Sequence, residues 1–121
     1  MSEVFKTQNG WTKEKMKAHV KLEFKGKSED GYGNCMYRNS NGKKCAVGMF
    51  IPDNKYHVAM DNNACNGGTN AIAVINQYNL DDLMPLIKDA MNELQAVHDK
   101  SAASETLDKM LEFVDSRVVN S

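Results

Sequence analysis

The stretch C-M-Y-R-N-S-N-G-K-K-C-A-V, residues 35–47, decides the expected fold. Its centre, Asn-Ser-Asn-Gly at 39–42, fits a type I turn followed by a glycine in the left-handed region, which makes a three-residue hairpin loop with a bulge. A tighter two-residue loop at 41–42 is the alternative. The stretch therefore predicts a central β-hairpin. In the three-residue register, Tyr37 pairs with Cys45 and Cys35 pairs with Val47.

The predicted hairpin has one apolar and one polar face, and this division supports the register because a slip of one residue would mix the faces. Cys35 and Cys45 become diagonal neighbours about 7–8 Å apart. That separation is too long for an unstrained disulfide, so both are expected to be packed thiols. The apolar face carries Cys35, Tyr37, Cys45 and Val47, and the outer face carries Met36, Arg38, Lys44 and Ala46.

A helix is predicted before the hairpin, over residues 13–25. Thr12 is a suitable N-cap, because its hydroxyl can accept from a free backbone N–H of the first turn. Met16, Val20 and Phe24 recur every four residues and form one apolar stripe.

Two longer helices are predicted after the hairpin, over 82–98 and 105–118. Asp81 caps the first, and Pro85 lies in its first turn, where proline is tolerated. Ser104 or Ser101 caps the second. Because the link between them is short, they should form an antiparallel pair. The inward side chains are expected to be Leu83, Leu86, Ile87, Ala90, Met91, Leu94 and Val97 in the first helix, and Leu107, Met110, Leu111 and Val114 in the second.

The segment between the hairpin and these helices is less regular. Asp53 can cap a short helix over 54–60, and the run after Thr69 fits either a helix or a strand, because its β-branched residues suit both. The expected fold class is therefore α+β: an N-terminal helix, a central β-hairpin and a C-terminal antiparallel helix pair in one small domain over 1–121.

Composition narrows the class of protein. The chain has 121 residues, of which 41% are hydrophobic, and it has a net charge of −1. No stretch approaches the roughly 18 apolar residues of a membrane helix, and the first residues lack the apolar core of a secretory signal. Three cysteines, an odd number, suit a reducing cytoplasm.

The charges are unevenly distributed along the chain. Residues 1–55 hold 11 Lys/Arg against 6 Asp/Glu, and residues 56–121 hold 4 against 10. The two halves can attract each other in the fold or offer two different surfaces. Nucleic-acid-binding domains are usually more basic than this chain, which argues against nucleic acid as the partner.

A longer pattern extends through the chain. It reads C-x-Y-R, then K-C-A-x-G-x-x-I-P-D-x-x-Y within residues 35–56, and L-Q-x-x-H-D at 94–99. This pattern resembles a family of short tailed-bacteriophage proteins, and W-T-K-E-K-M at 11–16 is similar to that family's opening helix. The resemblance covers most of the chain in order. It implies a small phage-encoded accessory protein in the host cytoplasm and implies no particular activity.

The charged face of the predicted hairpin is the candidate binding site. Arg38 and Lys44 share that face, and Lys43 lies at the turn. A guanidinium beside a lysine suits phosphate, and a tyrosine can stack on a base. The predicted ligand-binding residues are Tyr37, Arg38, Lys43, Lys44 and Tyr56, with Asp53 orienting the guanidinium.

The expected function is non-enzymatic: binding a host protein or a small anionic, nucleotide-like ligand and so modulating host metabolism or defence. No cofactor, catalytic residue or metal ligand is assigned, and oligomerisation stays open. The alternatives are a structural zinc module and a Cys/His-dependent hydrolase. Against the hydrolase, His98 and Asp99 are helix neighbours whose side chains leave the axis about 100° apart. Against zinc, no C-x-x-C or H-x-x-x-H pair joins the candidate ligands Cys35, Cys45, His57, Cys65 and His98.

Overall fold

The computed structural model describes residues 4–26, 42–56, 69–102 and 104–121. These residues are mostly helical. Two single-turn 3₁₀ helices, Gly48–Phe50 and Asp81–Leu83, lie between the longer elements. The longer elements, in chain order, are β1 (Phe5–Lys6), α1 (Lys13–Glu23), α2 (Thr69–Gln77), α3 (Lys88–Lys100), α4 (Thr106–Arg117) and β2 (Val118–Val119).

The prediction of an α+β fold with a central hairpin is wrong. The described part of the predicted second strand leads into helical turns, where the Met49 N–H donates to the Cys45 carbonyl at 2.9 Å and the Phe50 N–H to the Val47 carbonyl at 3.0 Å. Ala46, expected on the polar face, is fully buried. The physical reason is that residues 45–51 form one continuous buried apolar run without the alternation that a half-exposed strand requires.

Other parts of that prediction lie outside the described residues. These are the first strand at 35–38, the first three positions of the predicted turn at 39–41, and most of the predicted short helix at 54–60. Gly42 is described and has the expected positive φ, 79°. A turn does begin at Pro52, whose carbonyl accepts from the Tyr56 N–H at 3.0 Å.

The one sheet in the described part of the chain joins its two ends. β1 and β2 are parallel, with Phe5 opposite Val118 and Lys6 opposite Val119. The Thr7 N–H extends the pairing by donating to the Val119 carbonyl at 3.0 Å. Strands of two residues leave no periodic signal in a sequence, which is why this pairing was not predicted.

Helix α1 forms as the sequence predicts and ends two residues earlier. The Thr12 hydroxyl accepts from the Lys15 N–H at 3.2 Å and so caps the first turn. Met16 and Val20 are fully buried, and Phe24 packs against the core as the C-cap. This helix packs on α4, where the Lys17 ammonium meets the Asp115 carboxylate at 2.7 Å. At this contact the basic and acidic halves of the chain attract each other within the fold.

Helix α3 begins at Lys88, six residues later than predicted. Pro85 disfavours helical geometry at the residue before it, and Met84 is extended, with φ −83° and ψ 142°. The Met84 carbonyl instead accepts from the side-chain amides of Gln8 at 3.3 Å and Asn9 at 2.9 Å. The chain therefore makes one 3₁₀ turn and a bend before α3.

Two further details of the C-terminal prediction are wrong. Ile87 precedes the helix and is 50% exposed, although it was expected to point inward. Helix α4 has neither of the predicted serine caps; Glu105 is its N-cap, without a side-chain bond. The pair is antiparallel, as the short link predicts, because Arg117 at the end of α4 reaches Glu93 in the first half of α3 at 3.1 Å.

All helices contribute to one buried apolar cluster. Helix α2 packs on α3, and α3 packs on α4. The run 45–51 is buried within the same cluster. Within the described ranges, no helix is long and apolar enough to cross a membrane.

Candidate functional site

A groove of about 510 Å³ opens beside the helical turn Gly48–Phe50. Three separate segments of the chain form it: the start and inner face of α1, the run from 44 to 53, and the 3₁₀ turn before α3. We call it the Trp11 groove. The residues that line it are Asn9, Trp11, His19, Glu23, Lys44, Met49, Phe50, Ile51, Pro52, Asp53, Asp82 and Leu83.

Three rings form the aromatic wall of the Trp11 groove. Trp11 is half-buried and meets both His19 and Phe50 edge-on, with centroids 5.3 Å apart in each pair. His19 stacks on Phe50 at 4.8 Å, and its Nε2 hydrogen-bonds to the Met49 carbonyl. A carbonyl can only accept, so Nε2 carries a proton. This bond and the ring contacts fix the wall in position.

Among the described residues that line the groove, carboxylates outnumber ammonium groups. The Lys44 ammonium lies 2.9 Å from the Glu23 carboxylate, and the two side chains are 17% and 29% exposed. Asp53 and Asp82 add two exposed carboxylates from two different turns. Glu23, Asp53 and Asp82 supply the three carboxylates of the described lining, and Lys44 supplies its ammonium.

The structure brings two of the six predicted site residues into this groove, Lys44 and Asp53. The Lys43 side chain instead passes beside Gly26. Tyr56 is half-buried against the core. Tyr37 and Arg38 lie outside the described residues, and with them the proposed contact between Arg38 and Asp53.

Other lining residues were not singled out by sequence reasoning. Trp11 enters the sequence patterns only at the start of the opening helix, although it is the only tryptophan of the chain. His19 and Phe50 are 31 positions apart, and no local pattern indicates that they stack. Only the fold brings these rings together, since α1 packs against the turn Gly48–Phe50.

A second polar cluster lies at the end of α3. Gln95 is fully buried; its Oε1 accepts from the Val47 N–H at 3.0 Å and its Nε2 donates to the Asp99 carboxylate at 2.9 Å. His98, 1% exposed, places Nδ1 3.0 Å from the same Asp99 oxygen. The sequence argument that Asp99 is a poor orienter of His98 is therefore wrong. Rotation about the side-chain bonds overcomes the angular separation of the two residues on the helix.

The remaining nitrogen of this histidine has a distinct environment. The other ring nitrogen, Nε2 of His98, is buried and has no hydrogen-bond partner among the residues that the structure describes. The ring edge lies against Phe24, with centroids 6.1 Å apart. A histidine oriented by a carboxylate is the arrangement found in general bases and metal ligands. Among the residues with described side chains, however, no group of three His, Cys, Asp or Glu could hold a metal ion.

A third feature is a groove of about 550 Å³ between α3 and α4. The Arg117 guanidinium lies there, paired with Glu93 at 3.1 Å. It stacks over the rings of Phe5 and Phe113 at 5.3 and 5.4 Å from their centroids. Arg117 thus ties β1, α3 and α4 together, and its interactions serve the fold.

Comparison of the chain with protein-family models, curated proteins and solved structures finds no match. The candidate site therefore rests on geometry, charge and chemistry. Of the three features, the Trp11 groove alone combines open space, an exposed part of an aromatic wall and charged groups that a ligand can reach.

Proposed function

We propose that this chain is a non-enzymatic accessory protein that binds a host protein through the Trp11 groove and so modulates host metabolism or defence. The observation that carries the proposal is the combination of a fixed aromatic wall with reachable carboxylates in one groove. A volume of about 510 Å³ falls in the usual range for binding sites. The phage setting comes from the sequence resemblance.

The polar groups of the groove suit recognition better than catalysis. His19 uses Nε2 on the Met49 carbonyl, and Lys44 is held by Glu23 at 2.9 Å. Groups tied to the fold in this way give a rigid surface and leave few free atoms for proton transfer. The histidine with acid–base geometry, His98, is 1% exposed and does not line this groove.

The pairing of Lys44 favours a protein over a small anion. Lys44, expected to face a phosphate, has its ammonium 2.9 Å from the Glu23 carboxylate, and the exposed carboxylate of Asp82 lines the same groove. A nucleotide phosphate placed here would meet like charges, which costs binding free energy. The anionic ligand is accordingly the lesser of the two expected occupants.

The test is capture of partners from bacterial lysate with the tagged full-length chain, followed by mass spectrometry of proteins and small molecules. We expect one stoichiometric protein with the wild-type chain. Asp82→Lys, which reverses a charge of the groove, should lose it. Asp89→Lys, which changes an exposed carboxylate in the first turn of α3, should retain it.

Two results would contradict the proposal: no stoichiometric partner at all, or a partner held equally by both variants. A nucleotide panel in a thermal-shift assay covers the other occupant. A ligand at a hundredfold excess over its Kd stabilises the folded state by about 2.7 kcal/mol. Such a shift without a protein partner would identify the chain as a small-ligand binder instead.

A further inference from the structure

We propose that Gln8 and Asn9 are positioning residues of the Trp11 groove. Their side-chain amides bind the turn at residues 81–86, which we call the rim turn, to the segment that carries Trp11. The two amides therefore set the position of Asp82 relative to Trp11, which both line the groove. The inference rests on the proposed function for its effect on binding, whereas its geometry can be tested without a partner.

The rim turn needs hydrogen-bond donors from another part of the chain. Pro85 disfavours helical geometry at Met84, so a continuous helix does not take up the carbonyls of this turn. Met84 is fully buried, and a buried carbonyl without a partner costs free energy. Donors from a distant segment are therefore needed to hold the rim turn in one shape.

Gln8 contacts the rim turn at several carbonyls. Its Nε2 lies 3.0 Å from the Leu86 carbonyl oxygen and 3.3 Å from those of Asp81 and Met84. An amide nitrogen has only two protons, so these three contacts share them. The backbone N–H of Gln8 also donates to the Pro85 carbonyl, at 2.9 Å. One residue thus holds the rim turn along its length.

Asn9 holds the first half of the same turn. Its Nδ2 donates to the Asp81 carbonyl at 2.8 Å and to the Met84 carbonyl at 2.9 Å. Its backbone has φ 58°, in the left-handed region that asparagine tolerates better than most residues, and Gly10 follows with φ 80°. Asparagine at this position therefore suits both the local turn and the bonds to the rim turn.

Trp11 is connected to the same contacts. Its backbone N–H donates to the Gln8 carbonyl at 3.0 Å, and its ring meets Phe50 at 5.3 Å. The aromatic wall and the rim turn are thus joined through residues 8–11. A site whose parts are already fixed loses less conformational entropy on association, so loosening these bonds should weaken binding even where every contacting side chain is kept.

Gln8 provides the sharpest test, because it holds the rim turn and is not one of the residues that line the groove. Gln8→Met keeps a similar length and removes the donors, and Gln8→Glu places an acceptor against the carbonyls. Thr106→Val is the matched control. Thr106 is fully buried, its hydroxyl donates to the Ala102 carbonyl at 2.9 Å, and it does not line the groove either.

The readout is the position of Trp11 and of the rim turn. Trp11 is the only tryptophan, so its fluorescence and its single indole N–H cross-peak in a ¹H–¹⁵N spectrum report on the groove. Both Gln8 variants should shift this cross-peak and the amide cross-peaks of residues 81–86, and should increase quenching of Trp11 by acrylamide. Thr106→Val should lower the stability and leave these signals unchanged.

Asn9 gives a second measurement on the wild-type chain. In an Asn-Gly pair the glycine backbone nitrogen can attack the side-chain carbonyl carbon; the bond to the amide nitrogen breaks and ammonia leaves. Water then opens the cyclic imide to aspartate or isoaspartate. The Asn9 side chain must leave both carbonyls before the ring can close. We therefore expect deamidation at Asn9 to be about tenfold or more slower in the folded chain than in a blocked peptide of residues 6–12.

Two results would overturn the inference. One is deamidation at Asn9, followed by peptide mapping, that is as fast in the folded chain as in the peptide. The other is a pair of Gln8 variants whose Trp11 and rim-turn signals match those of Thr106→Val. If Gln8→Glu does not fold, Gln8→Met and the deamidation rate of the wild-type chain still decide.

Capture from lysate separates this inference from the proposed function. Displaced signals in Gln8→Met, with no protein partner for the wild-type chain, would contradict the proposed function and support the positioning of the groove. A wild-type partner that Gln8→Met binds with the same Kd, although the signals move, would leave the proposed function standing and overturn the positioning role. A partner bound more weakly by Gln8→Met and equally by Thr106→Val would support both.

Discussion

Replacing Gln95 with methionine should destabilise the fold. It should also disturb the packing behind the aromatic wall of the Trp11 groove. Gln95 is fully buried and connects two segments, accepting from the Val47 N–H at 3.0 Å and donating to Asp99 at 2.9 Å. Methionine has a similar length and volume, so Gln95→Met removes both hydrogen bonds and opens little cavity.

The two lost bonds set the size of the effect. Val47 is fully buried, and a stranded backbone N–H costs about 1–3 kcal/mol. The Asp99 side chain, 15% exposed, keeps its contact with His98, so we assign its loss about 1 kcal/mol. The free energy of unfolding should fall by about 2–4 kcal/mol. For a chain of this length each kcal/mol lowers Tm by about 4 °C, so Tm should fall by about 8–16 °C.

Urea denaturation and calorimetry measure both quantities, with Trp11 fluorescence as the probe of the groove. Gln77→Met, at the exposed end of α2, is the matched control and should change stability by less than about 0.5 kcal/mol. Gln95→Glu keeps an oxygen that can accept from the Val47 N–H. Its carboxyl group can donate to Asp99 only when the introduced glutamate is protonated. Its deficit relative to wild type should therefore shrink as the pH falls. A loss below about 1 kcal/mol for Gln95→Met, or one equal to the control, would refute the reasoning.

Three further substitutions test single contacts by the same denaturation assay. Thr12→Ala removes the N-cap of α1 and should cost about 1 kcal/mol. Gly26→Ala places a Cβ on a residue at φ 121° and should cost about 1 kcal/mol, because this conformation is strained for any residue with a side chain. The bond from Lys17 holds the pKa of Asp115 below its ordinary value of 3.8, so wild-type stability should decline as the pH falls below that value, and Lys17→Met should show a shallower decline.

The helices whose signals are local were predictable from the sequence. For α1, the cap at Thr12 and the four-residue spacing of Met16 and Val20 depend on residues within one or two turns, and the helix begins where they indicate. For α3 the apolar spacing also indicated a helix. Its start was missed because Pro85 acts on the residue before it, and the carbonyls released there are satisfied by Gln8 and Asn9, which are distant in sequence.

The central hairpin failed because its evidence was ambiguous. In the predicted second strand, the assignment of an outer face depended on Lys44 and Ala46 alone. The apolar run continues beyond these two residues to Ile51. A continuous apolar run fits a fully buried helical turn as well as a strand, and periodicity alone does not separate the two. The positive φ of Gly42 does not decide between them either, because many kinds of turn place a glycine there.

The groove could not be predicted because none of its contacts is local. Lys44 was expected to present its charge to a ligand, but it pairs with Glu23, 21 positions earlier. Trp11 reaches Phe50 across 39 positions. Sequence patterns report spacing within an element, whereas this site depends on which elements pack together.

Two of the stretches on which the phage resemblance rests meet at one place in the structure. Val47, within the K-C-A-x-G segment, donates to Gln95 of the L-Q-x-x-H-D segment across 48 positions, and the same Gln95 connects to Asp99 and through it to His98. The turn that follows Val47 supplies Met49 and Phe50 to the groove wall. These two stretches therefore form a buried joint next to the groove wall, whereas Asp82, an exposed carboxylate of the groove, lies outside both of them. Because this buried network fixes the backbone behind the wall, we expect substitutions at exposed groove positions such as Asp82 to change the charge of the groove without displacing the wall.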